Sequence, residues 1–186
     1  MRYLFYCIFA LLIFSCENAP KTESVEVLKA QTGDFDPEAK LKELGITLPE
    51  VSAPVANYVN SVRTGNLVYL SGKGPLKADG KYIEGKVGVD LTIEEGYEAG
   101  RITAIESLAS LKAEIGNLNK VKRVVKVLGM VNCAPDFRDQ PAVVNGYSDL
   151  MVEVFGDRGK HARSAVGMGS LPGNIAIEVE VIVEVE

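Results

Sequence analysis

The hydrophobic pattern changes period several times along the chain, and each change marks an element. The clearest run is Ile175 to Val185. Ile175, Ile177, Val179, Val181, Val183 and Val185 alternate there with polar positions that are mostly glutamate: Glu178, Glu180, Glu184 and Glu186. A period of two puts the apolar set on one face of a β-strand. That face must meet helices, while the other meets water or another subunit. Val121 to Val131 is β-branched, is interrupted by Lys122, Arg123 and Lys126, and predicts another strand; Ala162 to Met168 predicts a short one. Tyr58 to Val62 and Leu67 to Ser71 flank Arg63-Thr64-Gly65-Asn66, which predicts a β-hairpin.

Helical periods lie between these runs. Thr92-Ile93-Glu94-Glu95 is a capping box, and Ile102, Ile105, Leu108, Ala109 and Ile115 then recur on one face until Gly116. Gln140 to Phe155 predicts a second long helix closed by Gly156. Asp36-Pro37-Glu38 carries a cap, a proline at the first position and an acid in the first turn, so a short helix should run from there to Gly45. Gly72 to Gly88 is glycine-rich and predicts loops, with a short strand around Lys81 to Ile83. The order β-β-α-β-α-β-β implies an α+β fold, a mixed β-sheet with two helices packed on one face.

The first fifteen residues stand apart from that pattern. Arg2 is followed by an apolar run from Tyr3 to Phe14, too short to span a membrane and of signal-peptide length. Ser15-Cys16 closes the run in the manner of a bacterial lipobox. Residues 1–15 are therefore expected to be a signal peptide, with Cys16 as the lipidation site. Residues 16–36 form a polar tether and 37–186 the folded domain. An ordinary secretory signal or an uncut anchor is the alternative. The expected location is the bacterial cell envelope, with the protein exported and held by its N-terminal lipid.

Charge narrows the partners. Loss of residues 1–15 removes Arg2 and takes the net charge from −5 to −6. Lys and Arg are scattered among more numerous acids, so no basic stripe remains for nucleic acid. Cys133 is the one cysteine of the folded part, which excludes an internal disulfide and suits a small buried residue at a strand end. His161 is the sole histidine, so a histidine-rich metal cluster is excluded, and a nucleophile–histidine pair would have to use it. No metal and no cofactor is expected. Arg163 lies in the short strand Ala162 to Met168, just after His161, where a charged side chain needs a partner. Its planar fork suits a ligand carboxylate, or an internal salt bridge to one of the many acids.

Ala162-Arg163-Ser164, Leu171-Pro172 and Ile177-Glu178-Val179-Glu180 together resemble the C-terminal signature of the Rid (YjgF) family, the reactive intermediate deaminases, also known as the endoribonuclease L-PSP or chorismate-mutase-like proteins. Ala56-Asn57-Tyr58 and Leu70-Ser71-Gly72 extend the resemblance, which runs from about Leu41 to Glu186. Gly85-Lys86-Val87-Gly88, Val144 to Leu150 and Phe155-Gly156-Asp157 place it nearer a longer branch.

The resemblance implies a homotrimer with a cleft at each subunit interface. It also implies hydrolysis of 2-enamine and 2-imine acids to 2-keto acids and ammonia. Arg163 would clamp the substrate carboxylate and Glu178 would position water, with Tyr58 and Gly72 lining the cleft. Ala165 stands where the family commonly has cysteine. The alternatives are a non-catalytic module binding small carboxylate metabolites at the envelope, and a ribonuclease, against which the acidic surface argues.

Overall fold

The computed structural model describes residues 35–54 and 56–186. The expected signal peptide, the expected lipidation site Cys16 and the expected tether up to residue 34 lie outside the described residues.

Helix α1 (Pro37–Glu43) starts where its cap predicts. The Asp36 carboxylate accepts from the N–H groups of Glu38 and Ala39 at 2.9 and 3.2 Å. The hairpin follows as β1 (Ser61–Thr64) and β2 (Leu67–Lys73). Its register pairs Thr64 with Leu67, so the loop is only Gly65-Asn66, and Arg63 and Thr64 belong to the strand. The expected strand at Tyr58 is thereby displaced, and Tyr58 lies in the irregular segment ahead of β1. The strand expected near Lys81 to Ile83 is also absent. Isolated bridges, Leu76 to Tyr82 and Glu84 to Ile175, hold that loop instead.

Helix α2 (Ile93–Ile115) has the full capping box at Thr92 and Glu95 and ends at Gly116. Strand β3 (Val121–Asn132), helix α3 (Gln140–Phe155), strand β4 (Ala162–Met168) and strand β5 (Ile177–Val185) complete the order. The sheet runs β1-β2-β5-β3-β4; only β3 and β4 are parallel, with α3 as their crossover. Strand β5 is central, and Ile177, Val179, Val181, Val183 and Val185 are each 2% exposed or less. The helices lie over this face. The opposite face carries Glu178, Glu180, Ile182 and Glu184.

The buried side of α2 keeps the expected Leu108, Ala109 and Ile115 but extends toward small residues rather than Ile102 and Ile105. Ala99, Thr103, Ser107, Leu108, Leu111 and Ile115 are buried, whereas Ile102 and Ile105 are half-buried. The helix turns its small residues inward because α3 comes very close. A Cβ added to Gly146 would lie 1.9 Å from the Tyr97 carbonyl oxygen, and one on Gly100 would lie 2.8 Å from that of Val143. The buried hydroxyls cost little because Thr103 donates to the Ala99 carbonyl and Ser107 to that of Thr103, at 2.8 and 3.1 Å.

Gly146→Ala should therefore destabilise the protein by about 2–4 kcal/mol, since no rotamer relieves a clash with backbone and the helices must part. Gly45→Ala, at φ +68° with open space around its Cβ, should cost only about 1 kcal/mol. Denaturant unfolding of the two variants measures the difference; equal losses would contradict the close packing of α2 on α3.

Candidate functional site

Glu178 owes its surroundings to an irregularity in the sheet. Leu70 pairs with Val181 and Lys73 with Val179, so three steps on β2 oppose two on β5. The bulge falls at Ser71-Gly72 and brings the Gly72 backbone against Glu178. A Cβ on Gly72 would lie 2.0 Å from Glu178 Oε1 and 2.9 Å from its Cδ. Burial raises the Glu178 carboxyl above the usual glutamate range, and the neighbouring Glu180 charge adds to the rise.

Arg163 lies on β4, at one edge of the sheet. It pairs with Val127, which is fully buried under the helices, so Arg163 also faces the helix side. Its Nη1 donates to Asn145 Oδ1 at 2.8 Å and to Ser148 Oγ at 3.0 Å, both on α3. The ion pairs among the described residues engage Lys40, Lys77, Arg101, Lys112 and Lys160. The internal salt bridge considered for Arg163 is not formed; neutral acceptors hold it instead.

The four sequence-predicted residues are thus only partly assembled by one chain. Gly72 and Glu178 touch. Arg163 lies across β3 from Val181, two strands over and three residues along from Glu178. That separation is roughly 14 Å at ordinary strand spacings, and the two side chains leave opposite faces of the sheet. Tyr58 is 50% exposed and precedes β1, the edge strand opposite to β4.

Residues that sequence reasoning missed surround Arg163. His161 Nε2 is 3.0 Å from Ser148 Oγ, and its Nδ1 is 2.6 Å from the Gly159 carbonyl. Burial lowers the His161 pKa; the Gly159 carbonyl opposes this, and the Arg163 charge reinforces it. A signal existed. Asn145 and Ser148 are three apart on a helix, and His161 immediately precedes β4, two residues before Arg163. Cys133 is buried beyond the far end of β3, where Gln140 Nε2 approaches its sulfur at 3.8 Å. The register pairs Lys126 with Ala162 and Asn132 with Met168, so His161 and Cys133 sit at opposite ends of the parallel pair and form no Cys–His couple.

Lys73 is a second half-buried charge near the hairpin. Its Nζ donates to Asn60 Oδ1 at 2.7 Å. Burial lowers its pKa, and the Glu106 charge partly restores it.

Comparison with known proteins matches residues 38–185 to the family described as "YjgF/chorismate_mutase-like, putative endoribonuclease". Protein TCP17 of Trypanosoma cruzi is 44% identical over 147 residues, which cover 78% of this chain and 92% of that protein. A 2-iminobutanoate/2-iminopropanoate deaminase of Dermatophagoides farinae is 31% identical over 143 residues, covering 76% of this chain and 95% of that one. A crystal structure of a protein of unknown function from Agrobacterium tumefaciens superposes with a TM-score of 0.75 at 43% identity, over 82% of this chain and 95% of its own. With the five-stranded mixed sheet and its two covering helices, these matches show that the chain belongs to the YjgF/chorismate-mutase-like family.

Proposed function

We propose that the protein hydrolyses 2-imine and 2-enamine acids to 2-keto acids and ammonia. The observation that carries this reading is the state of Arg163. Among the described residues its guanidinium is oriented through Nη1, by an amide and a hydroxyl, and is neutralised by no carboxylate. Nε and Nη2 are left to take a substrate carboxylate as a bidentate pair. The relative named as a deaminase supports the reaction class.

The chemistry asks little more of the chain. An imine carbon is already electrophilic. A water adds to it while a base takes the water's proton; ammonia then leaves and the carbonyl forms. Glu178, with its carboxyl raised by burial, is suited to accept and return that proton. Fixing the carboxylate supplies the proximity. Because Arg163, Glu178 and Tyr58 are spread over two faces and both edges of one sheet, the cleft draws on more than one copy, in keeping with the homotrimer that the resemblance implies. A lipid on Cys16 would hold the assembly at the cell envelope.

The same separation favours a second reading, a carboxylate-binding module in which Glu178 takes no part. Keto-acid binding by calorimetry without imine hydrolysis would select it.

In a coupled assay with 2-iminobutanoate, Arg163→Ala should lower kcat/KM roughly 100-fold or more while the oligomer stays intact. Wild-type protein that does not accelerate the hydrolysis refutes the proposal. Glu178 must be ionised to act as a base, so kcat should fall as pH drops through its raised pKa, and Glu178→Gln should lose both the activity and this acid limb. The sign for stability is opposite. A carboxyl whose pKa is raised in the folded state stabilises most when protonated, and that contribution is lost as pH rises through the folded value. Glu178→Gln should therefore melt higher than wild type at neutral pH. Gly72→Ala should push the carboxylate aside and lower kcat at least tenfold, yet cost about 1 kcal/mol or less in unfolding, because only the end of a flexible side chain has to move.

A further inference from the structure

We infer that His161 is a positioning residue for the ligand-binding guanidinium, acting on Arg163 through the hydroxyl of Ser148. The inference rests on the reading of Arg163 as the carboxylate clamp and goes on to say what keeps that clamp aimed.

The hydrogen bonds run in one direction only. A carbonyl oxygen can only accept, so the 2.6 Å contact to Gly159 puts the proton of neutral His161 on Nδ1. Nε2 then has a lone pair and no proton, and the Ser148 O–H must donate to it. That leaves the lone pairs of Ser148 Oγ for Arg163 Nη1, which cannot lose its protons. Asn145 Oδ1, one turn earlier on α3, takes the other Nη1 proton. Two acceptors on one helix face thus set the plane of the guanidinium, and one of them has its own orientation set by His161.

The rest of the protein shows what Ser148 would do without the imidazole. In α2 the Thr103 and Ser107 hydroxyls donate back to carbonyls four residues earlier, at Ala99 and Thr103. Ser148 is also inside a helix, and the Val144 carbonyl is its equivalent. It points outward to Arg163 because His161 offers its proton a better acceptor. The anchor at Gly159 is itself built in. A Cβ there would lie 2.2 Å from the Met151 carbonyl oxygen, so the turn before β4 lies directly on α3 and delivers its carbonyl to the ring.

Charge around the imidazole is one-sided. Arg163 faces it from β4. In the preceding turn Asp157 and Lys160 pair with each other at 2.7 Å, and Arg158 donates to the carbonyls of Val121 and Phe35. The acids of α3 are turned to α2, where Asp149 accepts from Tyr97 and Glu153 from Arg101. Anything that cancels the guanidinium charge should therefore be felt at His161, and by reciprocity His161 should be felt at the ligand.

His161 is the sole histidine of the chain, so its ring signals in NMR need no assignment. Free wild-type protein should show the Nδ1–H tautomer. Both Arg163→Gln and saturation with 2-oxobutanoate should raise the His161 titration midpoint, because each removes the same repulsion. By calorimetry, Ser148→Ala and His161→Ala should each weaken 2-oxobutanoate binding about tenfold, and the double variant no further, since both break one chain of bonds. His161→Gln, whose amide oxygen can accept from Ser148, should bind within about twofold of wild type. A histidine midpoint indifferent to both Arg163→Gln and ligand overturns the inference. So does wild-type affinity in His161→Ala when Arg163→Gln has lost binding, an outcome that leaves the clamp standing. No binding heat from the wild type removes the clamp and the inference with it.

Discussion

Strand β5 has to bury every second side chain, and the remaining architecture follows from that. It lies between β2 and β3, so its register fixes which face of each neighbour turns to the helices. A slip by one residue would expose Ile177, Val179, Val181, Val183 and Val185 and bury glutamates, at a cost far beyond a domain's marginal stability. The same alternation sends Glu178 to the uncovered face. Through Val181 and Val127 it also sends Arg163 to the helix face. The residue expected to clamp a carboxylate and the residue expected to handle water are separated by the pleat of a sheet.

Close packing then completes each half of the site. Near Glu178 a bulge lets the Gly72 backbone occupy space that a side chain would need, and the enclosure raises the carboxyl's proton affinity. Near Arg163, α3 is brought close enough to supply Asn145 and Ser148, because α2 meets α3 through glycines and short hydroxyl side chains. Stability and site geometry share one cause there. Gly100 and Gly146 let α3 approach α2, Gly129 lets Val144 of α3 sit on β3, and α3 so placed is within reach of Arg163.

Membership in the YjgF/chorismate-mutase-like family leaves the reaction open, since relatives of the chain include a named deaminase and a protein of unknown function. The site narrows the choice by its chemistry. A guanidinium held by neutral groups, with no carboxylate partner among the described residues, is suited to a small carboxylate. A single histidine whose lone pair is already committed to a serine is poorly suited to the paired acid–base work of RNA cleavage.

What the sequence determined by itself was local. The capping box at Thr92, the Asp36 cap, the closing glycines at 116 and 156, and the alternation of β5 all rest on neighbours within a few residues, so their periodicity was legible before any fold. The buried face of α2 was legible only in part: Leu108, Ala109 and Ile115 are buried as the apolar period predicts, but Ile102 and Ile105 are only half-buried. The helix instead turned Thr103 and Ser107 inward, a choice that depends on how near α3 lies. Arg163 was legible as a charge in need of a partner, and the motif around it suggested a ligand. That its partners in the chain are an amide and a hydroxyl, with no carboxylate among the described residues, was decided by residues fifteen and eighteen positions away. Sequence alone sets the period of each element; which faces meet, and which polar groups are left over for a ligand, is settled only when the elements pack.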